Sequence, residues 1–205
     1  MNLRSKLRKY FIMGSQNCRQ DPIEILTEAA KAGITAFQFR EKGPGSLVGD
    51  AKLELGLRLR DICAKYDILF IVNDDLDLVE PLHADGIHVG QDDLSVAVIR
   101  ELLPNKIVGL SISNTDELNQ SPISLIDYIG AGPIFKTTTK VDAKKPVGLK
   151  WIKQLRNKHP QLPLVGIGGI NTDNAASVIA AGADGVAVIS AITEASNIEV
   201  EVTNI

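Results

Sequence analysis

Cysteine and long apolar runs are scarce in this chain of 205 residues, and each scarcity excludes a class of protein. The two cysteines, Cys18 and Cys63, lack the spacing of a metal site, so we expect free thiols in a reducing, cytoplasmic compartment. No apolar run approaches the roughly 18 residues that a membrane-spanning helix needs. The apolar part of the N-terminal region, Tyr10–Met13, is too short for a secretory signal.

A strong net charge is also missing. The formal net charge is −3, which argues against nucleic acid or an acidic membrane surface as the main partner. The length and the hydrophobic content of 44% allow one sizeable core. We therefore predict a single domain over residues 1–205, with a barrel over about 10–192 and a separate tail over 193–205. The composition is compatible with a monomer or a homo-oligomer.

Short apolar runs rich in β-branched residues alternate with helical signals, which indicates parallel strands. One helix signal is Asp21 as a cap with Pro22 in the first turn and Gly33 after the last. Eight runs suit an α/β fold of the (β/α)₈ TIM-barrel type, with the active site at the C-terminal ends of the strands. A doubly wound sheet is the alternative, but no G-x-G-x-x-G follows the first run. The predicted strands are Tyr10–Met13, Ala36–Phe39, Leu69–Asn73, Gly86–Val89, Ile107–Ser111, Tyr128–Ile134, Leu164–Ile167 and Gly185–Ile189.

Two segments depart from this pattern. Residues 114–127 are polar and contain Pro122, so any helix there is expected to be brief. The tail from Ser196 has apolar residues at every second position, namely Ile198, Val200 and Val202. That period predicts an extra strand or a disordered tail, where a barrel would need an amphipathic helix.

Polar side chains alternate with aromatic ones where the second predicted strand ends, in AFQFREK at residues 36–42. Gln38, Arg40 and Lys42 share one face of an extended chain, and Phe37 and Phe39 share the other. We predict that the polar face points into the barrel while the aromatic face packs under helices. Buried cations need an anion between them, which favours a phosphate or diphosphate ligand over internal salt bridges.

Carboxylates follow the third and fourth predicted strands, in IVNDD and HVGQDD. Because neighbouring strands lie roughly 4.8 Å apart, carboxylates from the two ends can approach one cation. Hard oxygen ligands suit Mg²⁺ that also binds a substrate phosphate, and we choose Asp74 and Asp93 as its ligands. One of Asp92 and Asp93 is expected to cap the next helix, which we place near Leu94.

Hydroxyl groups and a lysine follow the fifth and sixth strands. We interpret Ser111 as a hydrogen-bonding group for a substrate, because no histidine lies near it or Ser113 in the sequence to activate a nucleophile. The run from Lys136 to Pro146 begins with three threonines and Lys140. Its length and its lysines favour a phosphate-binding lid over a solvated surface loop.

The seventh and eighth strands end in VGIGGIN and VAVIS. Barrels of this type often bind phosphate at these two loops, here through the backbone of Gly168 and Gly169 with Ile189 and Ser190. Simple tight turns are the alternative. The sequence thus predicts two anion sites at one barrel mouth, which suits the joining of two phosphorylated molecules with loss of diphosphate.

No acid–base pair accompanies these groups. The three histidines, His83, His88 and His159, are scattered, and we assign none of them a direct catalytic role. Catalysis is therefore expected to rest on positioning and electrostatic stabilisation.

In chain order, YFIMGS, FQFREKG, FIVNDD, DGIHVGQDD, GLSIS, YIGAGPIFKTTTKVDAKKPVGL, VGIGGI and GVAVISAI resemble the thiamine phosphate synthase family. The resemblance runs from about Tyr10 to Ile192. It implies a Mg²⁺-dependent transferase of thiamine biosynthesis that joins 4-amino-2-methyl-5-(diphosphooxymethyl)pyrimidine to 4-methyl-5-(2-phosphooxyethyl)thiazole. It also implies that diphosphate leaves first and that the thiazole nitrogen then captures the pyrimidine cation.

The resemblance assigns roles to individual residues. Arg40, Lys42 and Lys140 are implied as catalytic, and Asp74 and Asp93 as metal ligands. The implied pyrimidine diphosphate site consists of Gln38, Phe39, Arg40, Glu41, Lys42, Asn73, Ser111 and Lys140. The implied thiazole phosphate site consists of Thr137, Thr138, Thr139, Gly169, Ile189 and Ser190.

The chain departs from the family at Lys136, where a proline is usual, and the family's final helix is not evident after Ile192. Three rival functions stay open. A thiazole tautomerase-like relative would lack the metal aspartates and use a histidine just past the fifth strand, where this chain has Ser113. The others are a non-catalytic phosphate-binding barrel and a sugar-phosphate isomerase or epimerase, which needs an acid–base pair.

Overall fold

A computed structural model describes residues 2–137, 139 and 144–205. Its strands are β1 Lys9–Met13, β2 Ala36–Phe39, β3 Leu69–Asn73, β4 Gly86–Val89, β5 Ile107–Ile112, β6 Tyr128–Ala131, β7 Leu164–Ile167 and β8 Gly185–Val188. Its helices are α1 Leu3–Lys6, α2 Pro22–Lys31, α3 Gly49–Lys65, α4 Val96–Leu102, α5 Thr115–Gln120, α6 Leu149–Lys158, α7 Ala175–Ala180, α8 Ser190–Thr193 and α9 Ile198–Asn204.

The strands form a closed parallel barrel in chain order, in which β1 pairs with both β2 and β8. This confirms the predicted (β/α)₈ architecture. The predicted strands correspond one to one with the observed ones. The largest difference is that β6 ends at Ala131 rather than Ile134, because Gly132 is followed by Pro133, which has no N–H to donate to a strand neighbour.

The strands bury side chains on both faces, as parallel strands covered by helices do. Phe11, Phe37 and Phe70 point outward into the layer between strands and helices. Tyr10 and Tyr128 belong to a separate cluster inside the barrel, with ring centroids 6.1 Å apart. The inward side chains therefore fill the barrel below its mouth.

Aspartates that directly precede strands tie the N-terminal end of the barrel together. The Asp127 carboxylate accepts a hydrogen bond from the Val108 backbone N–H (2.8 Å) and pairs with the Arg100 guanidinium (2.7 Å). Each such carboxylate links the start of the preceding strand to an arginine on a helix, because it can accept from both donors at once. The same arrangement recurs at Asp85 with Arg60 and at Asp184 with Arg156.

The C-terminal tail forms helix α9, so the expectation of a strand or a disordered tail was wrong. This is the final helix that was not evident from the sequence after Ile192. The Asn197 side chain caps the helix by accepting from the Val200 N–H, and Ile198 and Val202 are buried. Val200 is 50% exposed. The alternating pattern was misleading because one of its three apolar residues faces solvent.

Of two smaller expectations, one is confirmed and the other is wrong. The polar segment after β5 contains the brief helix α5, as predicted, and Asn114 caps it by accepting from the Glu117 N–H. Helix α4 begins at Val96, and the Ser95 side chain caps it. The expectation that Asp92 or Asp93 caps α4 was therefore wrong, because both lie too early in the chain to reach its first turn.

Cys18 and Cys63 are free thiols, as predicted. Burial raises the pKa of Cys18 to about 11, so its thiol is protonated at neutral pH. Within the described ranges, every helix is too short or too polar to cross a membrane.

Truncation of Val202 tests the helical register of the tail. Val202→Ala is expected to lower the free energy of unfolding by about 2 kcal/mol, because it leaves a cavity at a fully buried position. Val200→Ala is the matched control, and its half-exposed side chain should cost less than about 0.5 kcal/mol. Urea denaturation measures both values, and equal losses would contradict a helix in this register.

Candidate functional site

A cavity of about 670 Å³ opens at the C-terminal ends of the strands. The structure brings most of the predicted site residues to its wall. Those of the first predicted anion site are Arg40, Lys42, Asn73, Asp74, Asp93 and Ser111. Those of the second are Thr137, Thr139, Gly169, Ile189 and Ser190. Thr138 and Lys140 lie outside the described residues.

Two carboxylates from neighbouring strand ends share one ammonium group at this mouth. Lys42 Nζ lies 2.5 Å from Asp74 Oδ2 and 3.5 Å from Asp93 Oδ1. Hydrogen bonding to Asp74 is the main cause of a raised pKa for Lys42, which therefore stays charged. The parallel pairing of β3 and β4 makes this arrangement possible, because it places both carboxylates at the same edge of the barrel.

The two aspartates have opposite pKa shifts. Burial raises the pKa of Asp74, and the nearby Asp93 carboxylate adds to the effect. Burial also disfavours charge on Asp93, but its pKa is lowered overall because the Gly90 N–H, Asp74 and Lys42 outweigh that effect. A positive charge between these two oxygens relieves their repulsion, which Lys42 now does in part.

The backbone at Asp74 supports this position. Asp74 has a φ of 59°, in the left-handed region that few residues other than glycine adopt readily. Its N–H donates to the His88 carbonyl (2.9 Å), which extends the pairing of β3 and β4 by one residue. The turn thereby aims the Asp74 side chain at the cavity instead of along the strand.

Arg40 is a nearly buried charge in the cavity. Its residue is 9% exposed. Among the residues that the structure describes, no carboxylate forms an ion pair with its guanidinium. A nearly buried cation without an anion is costly, so the site is suited to receive a negatively charged ligand.

Three residues of the implied pyrimidine site do not line the cavity. Phe39 packs in the outer core, with its ring 6.5 Å from that of Phe70. Gln38 lies inside the barrel, where its Nε2 donates to the Tyr10 hydroxyl. Glu41 accepts hydrogen bonds from Ser15, in the loop after β1, and from Leu47, in its own loop after β2. The alternation that predicts inward and outward faces for β2 is observed, and it is the reason that Phe39 faces away from the mouth.

His88 was given no role from the sequence, yet it lines the cavity. Its Nε2 lies 2.8 Å from Ser111 Oγ and its Nδ1 lies 2.9 Å from the Tyr128 hydroxyl. The signal was present in GIHV, because Ile87 and Val89 pack outward and the residue between them must point inward. No histidine lies near Ser111 in the sequence, but the fold brings His88 next to it.

The second half of the cavity is built from closely approaching backbone. Gly168 and Gly169 have φ values of 95° and 65°, and a Cβ on Gly169 would lie 2.5 Å from the Lys136 carbonyl oxygen. Glycine is therefore required there for conformation and for space. Lys144, another lining residue that the sequence did not single out, pairs with Glu117 at 2.7 Å.

Comparison with known proteins adds a consistent result. A family model described as thiamine monophosphate synthase matches residues 9–192. Thiamine-phosphate synthase of Oceanobacillus iheyensis is 66% identical over 192 residues, which is 94% of this chain and 93% of that protein. Thiamine-phosphate synthase 1 of Streptococcus pneumoniae is 49% identical over 194 residues, with coverage of 94% and 93%. The solved thiamine phosphate pyrophosphorylase of Pyrococcus furiosus has a TM-score of 0.87 and 35% identity, and the match covers 99% and 95% of the two chains.

Glu41 offers a test of whether its role is structural. Its carboxylate accepts hydrogen bonds from the Ser15 N–H (2.7 Å), the Ser15 hydroxyl (2.5 Å) and the Leu47 N–H (2.6 Å). Glu41→Ala is expected to lower the free energy of unfolding by about 2 kcal/mol, since it leaves partly buried donors without an acceptor.

The exposed Glu54 gives the matched control, and Glu54→Ala should change stability by less than about 0.5 kcal/mol. Chemical denaturation followed by circular dichroism measures both variants. Unchanged stability with lost ligand binding in Glu41→Ala would instead assign Glu41 to the cavity.

Proposed function

Because this chain belongs to the thiamine monophosphate synthase family and functions as a transferase in thiamine biosynthesis, we propose that its cavity holds both reaction partners together. The partners are small pyrimidine and thiazole molecules. In our proposal they are 4-amino-2-methyl-5-(diphosphooxymethyl)pyrimidine and 4-methyl-5-(2-phosphooxyethyl)thiazole. The products are thiamine phosphate and diphosphate.

The observation that carries the proposal is the uncompensated cation at the mouth. Arg40 is nearly buried, and Lys42, two residues further along the loop after β2, lines the same cavity. A bound diphosphate would give Arg40 the anionic partner that the described residues do not supply. Arginine suits this role because its planar guanidinium matches phosphate oxygens with two parallel hydrogen bonds.

The donor set at Asp74 and Asp93 fits Mg²⁺. Hard carboxylate oxygens suit this ion, which keeps most of its waters and is often held by one or two carboxylates plus substrate phosphate. Burial is the main cause of the raised pKa of Asp74 and the nearby Asp93 carboxylate adds to it, so a cation between the two carboxylates favours their charged forms. When bound there, Mg²⁺ would supply positive charge next to the diphosphate.

The bond changes need no proton transfer. The bond between the pyrimidine methylene carbon and the diphosphate oxygen breaks, and a bond forms from the thiazole nitrogen to that carbon. Arg40 and Lys42 stabilise the negative charge that develops on the departing oxygen. The cavity walls hold the thiazole nitrogen against the methylene carbon and so supply proximity. This division of labour explains why Arg40 and Lys42 line the mouth.

We place the thiazole phosphate on the opposite wall, at Thr137, Thr139, Gly169 and Ser190 with the backbone of Ile189. Hydroxyl and backbone N–H groups bind phosphate without a metal. This arrangement separates the two anions, which limits their mutual repulsion. Thr138 and Lys140 stay predictions as partners of the two phosphates.

Two rival functions are disfavoured by particular residues. The tautomerase-like alternative requires a histidine just past β5, where Ser113 stands with its N–H bonded to Glu117. An isomerase or epimerase requires an acid–base pair, and Asp74 and Asp93 are instead paired with Lys42. We further propose that the protein acts in the cytoplasm without nucleic-acid or membrane partners, either as a monomer or as a homo-oligomer.

Product formation tests the proposal directly. The protein mixed with Mg²⁺, the pyrimidine diphosphate and the thiazole phosphate is expected to form thiamine phosphate and diphosphate in equal amounts, measured by mass spectrometry and a coupled diphosphate assay. Omission of the thiazole phosphate is the control. Binding of both substrates without product in a folded sample would support the non-catalytic alternative.

Asp74→Asn tests the metal assignment. The amide keeps the size of the side chain and tolerates the left-handed backbone, so the melting temperature should change little. Turnover is expected to fall about 100-fold or more, because the site loses one of the two carboxylates that we propose as Mg²⁺ ligands. Calorimetric titration with Mg²⁺ and inorganic diphosphate should show weakened metal binding.

Asp75→Asn is the matched control, since the neighbouring carboxylate pairs with Lys52 (2.7 Å) and does not line the cavity. It should retain turnover and Mg²⁺ binding. Equal losses in both variants would contradict the assignment of Asp74 as a ligand.

A further inference from the structure

Five polar side chains form a continuous hydrogen-bonded chain through the inside of the barrel. Gln38 Nε2 donates to the Tyr10 hydroxyl (2.9 Å), and that hydroxyl lies 2.9 Å from the Tyr128 hydroxyl. The Tyr128 hydroxyl lies 2.9 Å from His88 Nδ1, and His88 Nε2 lies 2.8 Å from Ser111 Oγ. The chain starts at a 2% exposed amide and ends at the cavity wall.

The first donor sets the direction of every hydrogen that follows. Tyr10 accepts from the Gln38 amide, and either hydroxyl can be the donor between Tyr10 and Tyr128. The arrangement that gives every hydroxyl hydrogen an acceptor within the chain directs the Tyr10 hydrogen to the Tyr128 oxygen. Tyr128 then directs its hydrogen to His88 Nδ1, which must be bare to accept it. A neutral imidazole with a bare Nδ1 carries its hydrogen on Nε2, and that hydrogen is donated to Ser111.

Burial holds the two tyrosines in this arrangement. It raises the pKa of Tyr10 and of Tyr128 far above the usual range, so both hydroxyls keep their hydrogens. The barrel wall is also shaped for the chain. A Cβ on Gly109 would lie 2.1 Å from Tyr128 Cζ, and a Cβ on Gly130 would lie 2.9 Å from His88 Cε1. The two glycines therefore give both rings their space.

We propose that His88 is a positioning residue that fixes Ser111 as a hydrogen-bond donor toward the ligand. Because the Ser111 oxygen accepts from His88 Nε2, its own hydrogen is left to point into the cavity. The inference rests on the proposed function only in naming the ligand. On the pyrimidine diphosphate, the matching acceptor is either a ring nitrogen or a phosphate oxygen, and a ligand with a donor at that point is rejected.

The tautomer of His88 is the first test, and it needs no substrate. Nitrogen-15 NMR of the wild-type protein at neutral pH should show a protonated Nε2 and a bare Nδ1. The chain has three histidines, and His88→Gln assigns the signal by its loss. A protonated Nδ1 with a bare Nε2, or an imidazolium, would overturn the proposal whatever the fate of the proposed function.

Gln38→Glu tests the direction of the chain. An ionised carboxylate can only accept, so Tyr10 must turn its hydrogen toward residue 38 and the hydrogens along the chain must reverse. The His88 signal should then change to the Nδ1-protonated tautomer as the pH rises through the titration of the new carboxyl. An unchanged Nε2-protonated spectrum over the whole pH range in which the variant stays folded would contradict the relay.

Ligand binding tests the consequence at Ser111. Calorimetry with Mg²⁺ plus inorganic diphosphate, and separately with unphosphorylated 4-amino-5-hydroxymethyl-2-methylpyrimidine, distinguishes a phosphate oxygen from a ring nitrogen. Ser111→Ala is expected to weaken one of these ligands about tenfold. His88→Gln, whose amide nitrogen can still donate to Ser111, should keep most of that affinity.

A double-mutant cycle separates positioning from general damage. His88→Leu should weaken the same ligand as Ser111→Ala does, and the two changes together should add less than about twofold to the single loss. Fully additive losses, or no loss for either ligand in Ser111→Ala, would refute the proposal. If His88→Leu does not fold, the tautomer measurement on the wild type still decides.

Discussion

The repulsion between two carboxylates at the ends of neighbouring strands is the constraint on which the mouth of this barrel depends. Parallel pairing of β3 and β4 brings Asp74 and Asp93 to one edge of the barrel. A cation between them relieves this repulsion, and Lys42 takes that place in part. Arg40 adds a second, nearly buried positive charge to the same cavity.

The inside of the barrel must accommodate buried polar side chains. A barrel of eight strands is just wide enough to be filled by side chains, and here several of them are polar. Tyr10, Tyr128 and His88 remain satisfied because each bonds to the next, so the polar chain costs little despite its burial. The hydrogen-bonded chain also links the packed interior of the barrel to the cavity, since its last member, Ser111, lines the cavity.

The sequence predicts an element well where a regular period of apolar residues determines which side chains are buried. It does not predict contacts between segments that are far apart in the chain. Eight strands and the inward face of β2 could be predicted, because parallel strands are short, apolar and bounded by turn residues. The structural setting of Glu41 could not, since its carboxylate joins its own loop to Ser15, which lies 26 residues earlier in the chain. His88 was passed over because its neighbours come from other strands. The tail was misjudged because Val200, an exposed apolar residue, imitates the period of a strand.

The aspartate–arginine links at the N-terminal ends of the strands have a consequence for how this protein can change over generations. Asp127 and Asp184 each tie a helix to two strands on the face opposite the cavity. Loss of a loop contact at the mouth therefore leaves these ties intact. Descendants of such a chain can acquire altered loops, and with them new chemistry, while the opposite end continues to hold the strands in order.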